Sequence, residues 1–271
     1  MREQIVIDTV ERHSAKSGKY EVQFVKPPAA TVALCSFTGT PQEMLYLTTR
    51  AYRGIYDPNP YRMPKDGYDI NVAIEDIQKT KLQTPLEMIH MLFLLQDVTR
   101  AFTHQLVRYR VGTAFVQESM RFFGMRRTFK VLVTHEAADK TEAEPEWNFA
   151  SNFRTYSTGA VSAIESYVQL LDSGVPDQDA RGVLPTNILT NIYFDCSLRT
   201  LQNVFAQRLC CQAQPGEWQP ILKEMRKLIA QKMGSNVEAI LRAPYERGEE
   251  CGYRASFDRP CVWKKDNVNA P

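Results

Sequence analysis

Arginine is concentrated in one short stretch of this chain, residues 99–122, where lysine is absent and Glu118 is the only acid. The guanidinium group is planar, always charged, and able to hold a phosphate or carboxylate by two-point contact. The stretch therefore predicts an anion-binding site. Arginines that are solvated or paired at the surface remain the alternative on composition alone. The residues that could contact such an anion are Arg100, Gln105, Arg108, Arg110, Gln117, Ser119 and Arg121.

The spacing of these residues resembles the signature of the flavin-dependent thymidylate synthases, which is Arg-His-Arg, seven or eight residues, then Ser-x-Arg. In this chain the signature stands as Arg108-Tyr109-Arg110, eight residues, and Ser119-Met120-Arg121. Other segments resemble the family in the same order. Residues 84–87 match its Thr/Ser-Pro-x-Glu segment, and residues 180–187 match its Ala-Arg-x-x-Leu-Pro-x-Asn segment. The helix that closes the family's active site is matched by Leu198, Arg199, Asn203, Arg208 and Gln214.

The resemblance covers roughly residues 80–235 and implies two binding sites. Arg208 corresponds to the family arginine that stabilises the ionised N3 of uracil, which would make it catalytic, because a cation beside that anion pushes electron density toward C5. The implied dUMP site contains Gln105, Arg108, Gln117, Ser119, Met120, Arg121, Arg181 and Arg208. The implied FAD site contains Thr84, Arg108, Tyr109, Arg110, Gln117, Ser197, Arg199 and Asn203.

The resemblance also implies the reaction, in which dUMP becomes dTMP with methylenetetrahydrofolate as carbon donor and NADPH as reductant. Other thymidylate synthases attack the uracil ring with a cysteine, and this sequence has no Pro-Cys-His-type setting for such a nucleophile. In the flavin-dependent family the reduced flavin supplies the hydride and the protein positions the reactants. A cluster of Arg, Gln, Asn and Ser side chains without an obvious base agrees with a protein that binds and positions the reactants.

The chain departs from the family pattern at several polar positions. Tyr109 replaces the central histidine of the signature, and a phenol does not titrate near neutral pH as imidazole does. Leu82 and Ser197 stand where the family often has His and Asn, and Met120 stands where small or polar residues are usual. Two alternatives follow: a variant that leaves another one-carbon group, such as hydroxymethyl, on the pyrimidine, and a non-catalytic nucleotide-binding relative. A nucleic-acid-binding protein that uses the arginine cluster is a third hypothesis.

Composition argues against that third hypothesis. The 271 residues are 44% hydrophobic and 24% charged, as in ordinary globular proteins, and the net charge is only +2. Nucleic-acid and membrane-surface binders usually have a basic excess. No apolar run of about twenty residues and no leader-like start is visible, so we expect a cytoplasmic protein. The six cysteines form no Cys-x-x-Cys pair, so no metal site is expected. Pairing of Cys251 with Cys261 stays open.

Hydrophobic patterning predicts a helix-rich α+β (or α/β) protein with a small β-sheet, as a single domain over 1–244 followed by a polar tail over 245–271. Strands are predicted over 3–10, 20–26, 31–37 and 131–133. Helices are predicted over 40–54, 69–80, 86–108, 152–172, 197–209 and 218–233. Thr40 and Glu43 are expected to form a capping box at the first helix. Gly112 is expected to place Arg108 and Arg110 at or beyond the end of helix 86–108.

The predicted helix 197–209 carries polar groups on two sides. Arg199 and Asn203 are four residues apart and share a face, whereas Arg208 lies about half a turn away from them. A monomer should bury one of these sides, so the pattern favours an oligomer in which the helix serves more than one active site. The resemblance implies the same arrangement, a homotetramer with shared active sites. An ordinary, partly exposed helix with surface arginines is the alternative.

Overall fold

The structure is a computed structural model, and it describes residues 4–56, 69–80, 83–125, 127–133, 146–209 and 216–247. These residues form eight α-helices and seven strands in two sheets, which confirms the predicted mixed, helix-rich class. The strands are β1 (Val6–Ser14), β2 (Gly18–Val25), β3 (Thr31–Phe37), β4 (His90–Thr99), β5 (Thr113–Gln117), β6 (Thr128–Leu132) and β7 (Leu189–Ser197). The helices are α1 (Pro41–Tyr52), α2 (Ile70–Thr80), α3 (Arg100–Leu106), α4 (Glu146–Asp172), α5 (Asp177–Ala180), α6 (Leu198–Arg208), α7 (Trp218–Met233) and α8 (Ser235–Ala239).

The strands form a three-stranded and a four-stranded sheet. In the first, with the order β1-β2-β6, β1 and β2 form an antiparallel hairpin and β6 runs parallel to β2. The second has the order β3-β4-β7-β5. Short 3-10 turns occur at Thr84–Met88, Met120–Met125, Arg181–Val183 and Pro244–Arg247. No helix in the described part of the chain is long and apolar enough to span a membrane.

The chain divides into two compact units. The first comprises Met1–Thr31, Leu95–Arg108 and Val116–Ile192. The second comprises Val32–Leu94, Tyr109–Phe115 and Tyr193–Pro271. The strands β4, β5 and β7 each contribute residues to both units. The sequence segments that carry the predicted site residues are therefore divided between the two units as well.

The core of the first unit lies between the three-stranded sheet and helix α4. Phe129 on β6 and Tyr167 on α4 are buried and meet edge to face, with ring centroids 6.1 Å apart. Phe24 on β2 and Ile164 on α4 are also fully buried in this cluster. Burial of each such side chain stabilises the unit by roughly 1.5–3 kcal/mol.

Helices α6 and α7 contribute the main buried side chains of the second unit. Leu201 and Phe205 lie on one face of α6, and Trp218, Ile221 and Met225 lie at helical spacing on α7. Gly234 follows α7 with a positive φ of 99°, a conformation that ends a helix most easily at glycine. The predicted stop of helix 218–233 at this glycine is confirmed.

The predicted long helix over 86–108 is wrong. A 3-10 turn (Thr84–Met88) is followed by strand β4 and by the seven-residue helix α3. Residues of β4 alternate between buried positions, such as Met91, Phe93 and Leu95, and less buried ones. A short apolar run of this kind cannot be assigned to helix or strand from periodicity alone. Here the segment is a strand because it pairs with β3 and β7. Strands β5 and β7 were not predicted.

Other predictions agree with the structure except in detail. The strands at the amino-terminal end, strand 131–133 and the helices predicted over 40–54, 69–80, 152–172 and 197–209 are confirmed within a few residues. The capping box at α1 is wrong, because Thr40 makes no side-chain capping hydrogen bond. Leu82, the four cysteines from 210 onward and most of the predicted tail lie outside the described residues, and the single-domain boundary at 244 stays a prediction.

Candidate functional site

Helix α3 positions the first part of the arginine cluster in the first unit. The Thr99 hydroxyl accepts a hydrogen bond from Phe102 N at 2.9 Å and so caps the helix where Arg100 begins it. The helix ends at Leu106, and Arg108 follows it with an exposed side chain. The helix is much shorter than predicted, but the expectation that Arg108 and Arg110 lie beyond its carboxyl end is confirmed.

The Thr103 hydroxyl fixes the orientation of Gln117. This buried hydroxyl donates to the Arg100 carbonyl at 3.0 Å, so it can only accept from the amide group of Gln117, whose Nε2 lies 2.9 Å away. The Gln117 amide oxygen is then directed elsewhere and makes no hydrogen bond to a residue that the structure describes. Gln117 therefore presents an acceptor to a ligand.

Glu118, the only acid in the arginine-rich stretch, is engaged with strand β7. One of its carboxylate oxygens accepts from the backbone N and the side-chain Nδ2 of Asn191, at 3.2 and 3.1 Å. The backbone N of Glu118 donates to the Asn191 carbonyl at 2.9 Å. The backbone bond thus continues the pairing of β5 with β7, and the carboxylate binds Asn191 on β7.

Arg100 and Arg181 lie close enough to repel each other. Burial lowers the pKa of the Arg100 guanidinium, the positive charge of Arg181 lowers it further, and Glu118 opposes both effects. Arginine stays charged at neutral pH despite such a shift. Two partly buried cations in mutual repulsion are stabilised by an anion bound near both. The pair therefore agrees with the anion site predicted for the arginine-rich stretch, which included Arg100, although the family resemblance did not place Arg100 in the dUMP site.

The remaining predicted nucleotide residues of this unit lie on short turns. The Ser119 hydroxyl accepts from Arg121 N at 3.3 Å, at the start of the 3-10 turn Met120–Met125. Arg181 begins the 3-10 turn after α5, and its Nε donates to the Gln178 carbonyl at 3.1 Å. In the described part of the chain, no carboxylate forms an ion pair with any of these arginines: Arg100, Arg108, Arg110, Arg121 and Arg181. The alternative that these arginines are paired at the surface does not hold among the described residues. The alternative that they are solvated there is not tested, and Arg108, Arg110 and Arg121 are exposed.

In the second unit, the turn over 109–113 is fastened to the amino-terminal end of helix α6. Ser197 N donates to the Gly112 carbonyl at 3.0 Å, and the Thr200 hydroxyl donates to the Val111 carbonyl at 2.6 Å. Gly112 has a positive φ of 63°, and a Cβ there would lie 3.0 Å from Ser197 Oγ. Ser197 itself is buried, and its hydroxyl caps α6 by accepting from Thr200 N. Its predicted contact with flavin stays a prediction.

Helix α6 presents Arg199 and Asn203 to solvent on one face, as the spacing predicted. Arg199 forms an ion pair with Glu87 on the 3-10 turn Thr84–Met88, which also carries the exposed Thr84. Asn203 Oδ1 accepts from Gln207 Nε2 at 3.0 Å, so the Asn203 amide group is the part left to donate to a ligand. Exposed guanidinium and amide donors suit an anionic ligand rich in carbonyl oxygens, such as a flavin dinucleotide. The contact of these residues with flavin stays a prediction.

Arg208 lies at the carboxyl end of α6 against two aromatic rings. Its guanidinium carbon is 5.0 Å from the ring centre of Trp218 and 5.9 Å from that of Tyr109. Its Nε donates to the Tyr109 hydroxyl at 3.1 Å. Residues of the same unit thus cover the second polar side of α6, and the helix by itself no longer requires a neighbouring subunit. Trp218 and Gln207 gave no signal in the sequence.

The structure separates the predicted residues by unit. The first unit holds Gln105, Arg108, Gln117, Ser119, Met120, Arg121 and Arg181. The second unit holds Thr84, Tyr109, Arg110, Ser197, Arg199, Asn203 and Arg208. The residues predicted to bind the nucleotide therefore lie in the first unit except for Arg208. The residues predicted to bind the flavin lie in the second unit except for Arg108 and Gln117.

Known proteins are similar to this chain in sequence and in fold. The family model described as Thymidylate synthase complementing protein matches residues 33–234. The chain is 30% identical over 183 residues to the flavin-dependent thymidylate synthase of Sulfurisphaera tokodaii, covering 68% of this chain and 67% of that relative. It is 26% identical over 198 residues to the enzyme of the same name from Geobacter sulfurreducens, covering 73% of this chain and 81% of that relative.

A solved structure with a similar fold is the UMP/dUMP methylase PolB from Streptomyces cacaoi bound with 5-Br dUMP. Its TM-score is 0.63, with 19% sequence identity, and the match covers 79% of this chain and 95% of that chain. At this identity the likeness concerns the fold alone. It confirms the fold that the sequence motifs predicted.

Proposed function

Because this chain belongs to the thymidylate synthase complementing protein family, the flavin-dependent thymidylate synthases, we propose that it converts dUMP to dTMP with FAD as cofactor. The carbon donor in this proposal is methylenetetrahydrofolate, and the reductant is NADPH. The chain is an enzyme of the methyltransferase class. A cytoplasmic location and a homotetramer with shared active sites belong to the same proposal.

The observation that carries the proposal is the set of arginines without carboxylate partners. Five arginines at or near the family motifs form no ion pair with a described residue. Three of them are exposed, but Arg100 and Arg181 are partly buried, where arginine is commonly paired. Arg100 is partly buried and repelled by Arg181. A bound phosphate would relieve this repulsion and form charge-assisted hydrogen bonds with both groups. We assign the 5′-phosphate of the nucleotide to Arg121, Arg181 and Arg100.

The pyrimidine ring is assigned to Arg208. Its guanidinium is fixed over Trp218 and by the Tyr109 hydroxyl, so little reorganisation is needed when negative charge develops on a ligand. Next to uracil N3, this cation would favour the ionised ring and so the nucleophilicity of C5. Gln117 offers an acceptor oxygen, which suits a hydroxyl of the sugar.

The flavin is assigned to Arg110, Arg199 and Asn203, with Arg108, Tyr109, Gln117, Ser197 and Thr84 as further predicted contacts. Reduced flavin, when bound, supplies the hydride that completes the methyl group. The residues of the chain bind and orient the reactants, and among the described residues near the arginines Glu118 is already engaged by Asn191. This agrees with a reaction in which the protein provides positioning and electrostatics.

The proposal is tested by the product of single turnovers. Purified protein with FAD, NADPH, methylenetetrahydrofolate and dUMP should oxidise NADPH faster than the same mixture without dUMP, and mass spectrometry should find a nucleotide heavier than dUMP by one CH₂. A product that carries one further oxygen would establish the hydroxymethylating variant. Tight dUMP binding without flavin uptake would establish the non-catalytic relative, and no response to any pyrimidine nucleotide would contradict the proposal.

A further inference from the structure

A chain of three hydrogen bonds runs along the second unit from Arg208 to Asn203. Arg208 Nε donates to the Tyr109 hydroxyl at 3.1 Å, and this hydroxyl lies 2.9 Å from Gln207 Oε1. Gln207 Nε2 then donates to Asn203 Oδ1 at 3.0 Å. One end of the chain is the residue assigned to the pyrimidine, and the other end is a residue assigned to the flavin.

The direction of every bond in this chain is determined by its first member. Arginine has only donors, so the Tyr109 oxygen must accept from Arg208 and is left to donate its own proton to the carbonyl oxygen of Gln207. The Gln207 amide group must then donate to Asn203. The Asn203 side chain accordingly turns its own amide group outward, where it can meet only an acceptor.

Tyr109 is suited to this place because a phenol carries both an acceptor and a donor on one atom and does not change its charge near neutral pH. The family signature has histidine here, which can reverse or lose its polarity when it titrates or changes tautomer. The Tyr109 ring also covers one side of the Arg208 guanidinium, with 5.9 Å between the guanidinium carbon and the ring centre. A substitution that removes only the Tyr109 hydroxyl separates the contribution of its hydrogen bond to Arg208 from the contribution of the ring.

We propose that Tyr109 is a positioning residue that holds the Arg208 guanidinium in place for the pyrimidine and fixes, through Gln207, the donor that Asn203 offers at the flavin site. The proposal rests on the assignment of Arg208 to the pyrimidine. It explains how the chain can replace the histidine of the signature and keep an ordered arginine. It also gives a function to Gln207, which no sequence motif indicated: this residue connects Tyr109 to Asn203.

The central test compares Tyr109→Phe with Tyr167→Phe. Both substitutions delete one hydroxyl. Tyr167 OH donates to Asp177 in the first unit at 3.1 Å, and neither of these two residues is assigned to a ligand. A hydrogen bond to a charged group contributes roughly ten- to hundredfold to an equilibrium. We therefore expect Tyr109→Phe to lower kcat/KM for dUMP by about tenfold or more. Tyr167→Phe should leave kcat/KM within about twofold of the parent enzyme.

A purely structural effect of Tyr109 is distinguished by the pH profile. If Arg208 favours the ionised pyrimidine, its displacement in Tyr109→Phe moves the acid limb of kcat/KM to higher pH, by about one unit for a tenfold loss of stabilisation. Tyr109→Gln, which retains a side-chain acceptor and a donor, should restore part of the loss. An unchanged pH profile together with unchanged kcat/KM in Tyr109→Phe would overturn the proposal.

A crystal structure of Tyr109→Phe supplies a readout that needs no activity. The Arg208 guanidinium should leave its single position over Trp218, and the Asn203 amide should reverse or move. An unchanged Arg208 would contradict the inference even in an active enzyme. Absence of dUMP-dependent NADPH oxidation in the parent enzyme would instead contradict the proposed function, so the two failures are told apart.

Discussion

The repulsion between the guanidinium groups of Arg181 and Arg100 is the electrostatic observation that most directly indicates a bound phosphate. We predict that Arg181→Met weakens dUMP binding by roughly ten- to hundredfold, the usual contribution of a charge-assisted hydrogen bond, and leaves flavin binding unchanged. Binding of deoxyuridine, which has no phosphate, should be affected far less. Titration calorimetry with both ligands measures the difference.

The matched control for this substitution is Arg154→Met. Arg154 is an exposed arginine of helix α4 in the same unit, and it was not assigned to any ligand. The Arg154→Met variant should bind dUMP with the same affinity as the parent protein. Equal losses of dUMP and deoxyuridine affinity in Arg181→Met would contradict the phosphate assignment.

The two described cysteines should differ sharply in reactivity. Burial raises the pKa of the Cys196 thiol well above its usual value, and Asp195 raises it further, whereas Cys35 is exposed. Only the thiolate reacts with alkylating reagents, so at pH 8 we expect Cys35 to be modified and Cys196 to stay unmodified until the protein is denatured. Peptide mass spectrometry after brief iodoacetamide treatment checks this. Equal labelling of both in the native protein would mean that strand β7 is not buried as described.

At the scale of elements, the turn over 109–113 depends on its attachment to helix α6. Gly112 has a φ of 63°, and an added Cβ would lie 3.0 Å from Ser197 Oγ and 3.1 Å from Thr200 Oγ1. Gly54 has a similar φ of 75° with no atom within 4 Å of such a Cβ. Gly54→Ala should cost about 1–2 kcal/mol of the free energy of unfolding, the strain of the left-handed conformation alone.

Gly112→Ala should cost more than Gly54→Ala, because it adds contact with the Ser197 cap to the same backbone strain. It should also weaken flavin binding, since Arg110 lies on this turn. Urea denaturation and flavin titration of the two variants measure both effects. Equal losses of stability would show that the turn moves away from α6 without cost.

The elements also show how far sequence reasoning reaches. Helices with clear starts and stops, such as α7 before Gly234, followed from local patterning. Strand β4 did not, because its apolar run acquires strand geometry only by pairing with β3 and β7, which are distant in sequence. The ligand residues were predicted from motif spacing. The partners that orient them, such as Thr103 and Trp218, depend on tertiary contacts that no motif contains.

At the scale of the whole molecule, the predicted residues lie in two units, and the proposed reaction assigns residues of both units to its ligands. If active sites are shared in a homotetramer, Arg181→Met and Arg199→Met chains should each have little activity alone at a dUMP concentration near the KM of the parent enzyme, and regain activity when mixed. Random assembly would restore roughly a quarter of the sites. Co-expression with two tags, followed by native mass spectrometry and an activity assay, measures this. A mixed tetramer without restored activity would contradict shared sites.

The central claim, that this chain is a flavin enzyme acting on dUMP, is tested most directly by its visible absorption spectrum. Purified protein supplied with FAD should show a bound flavin spectrum, and anaerobic NADPH should bleach it faster in the presence of dUMP than in its absence. That result would place cofactor, reductant and nucleotide on one protein. Failure of the protein to bind FAD would contradict the claim. A bleaching rate that is the same with and without every pyrimidine nucleotide tested would also contradict it.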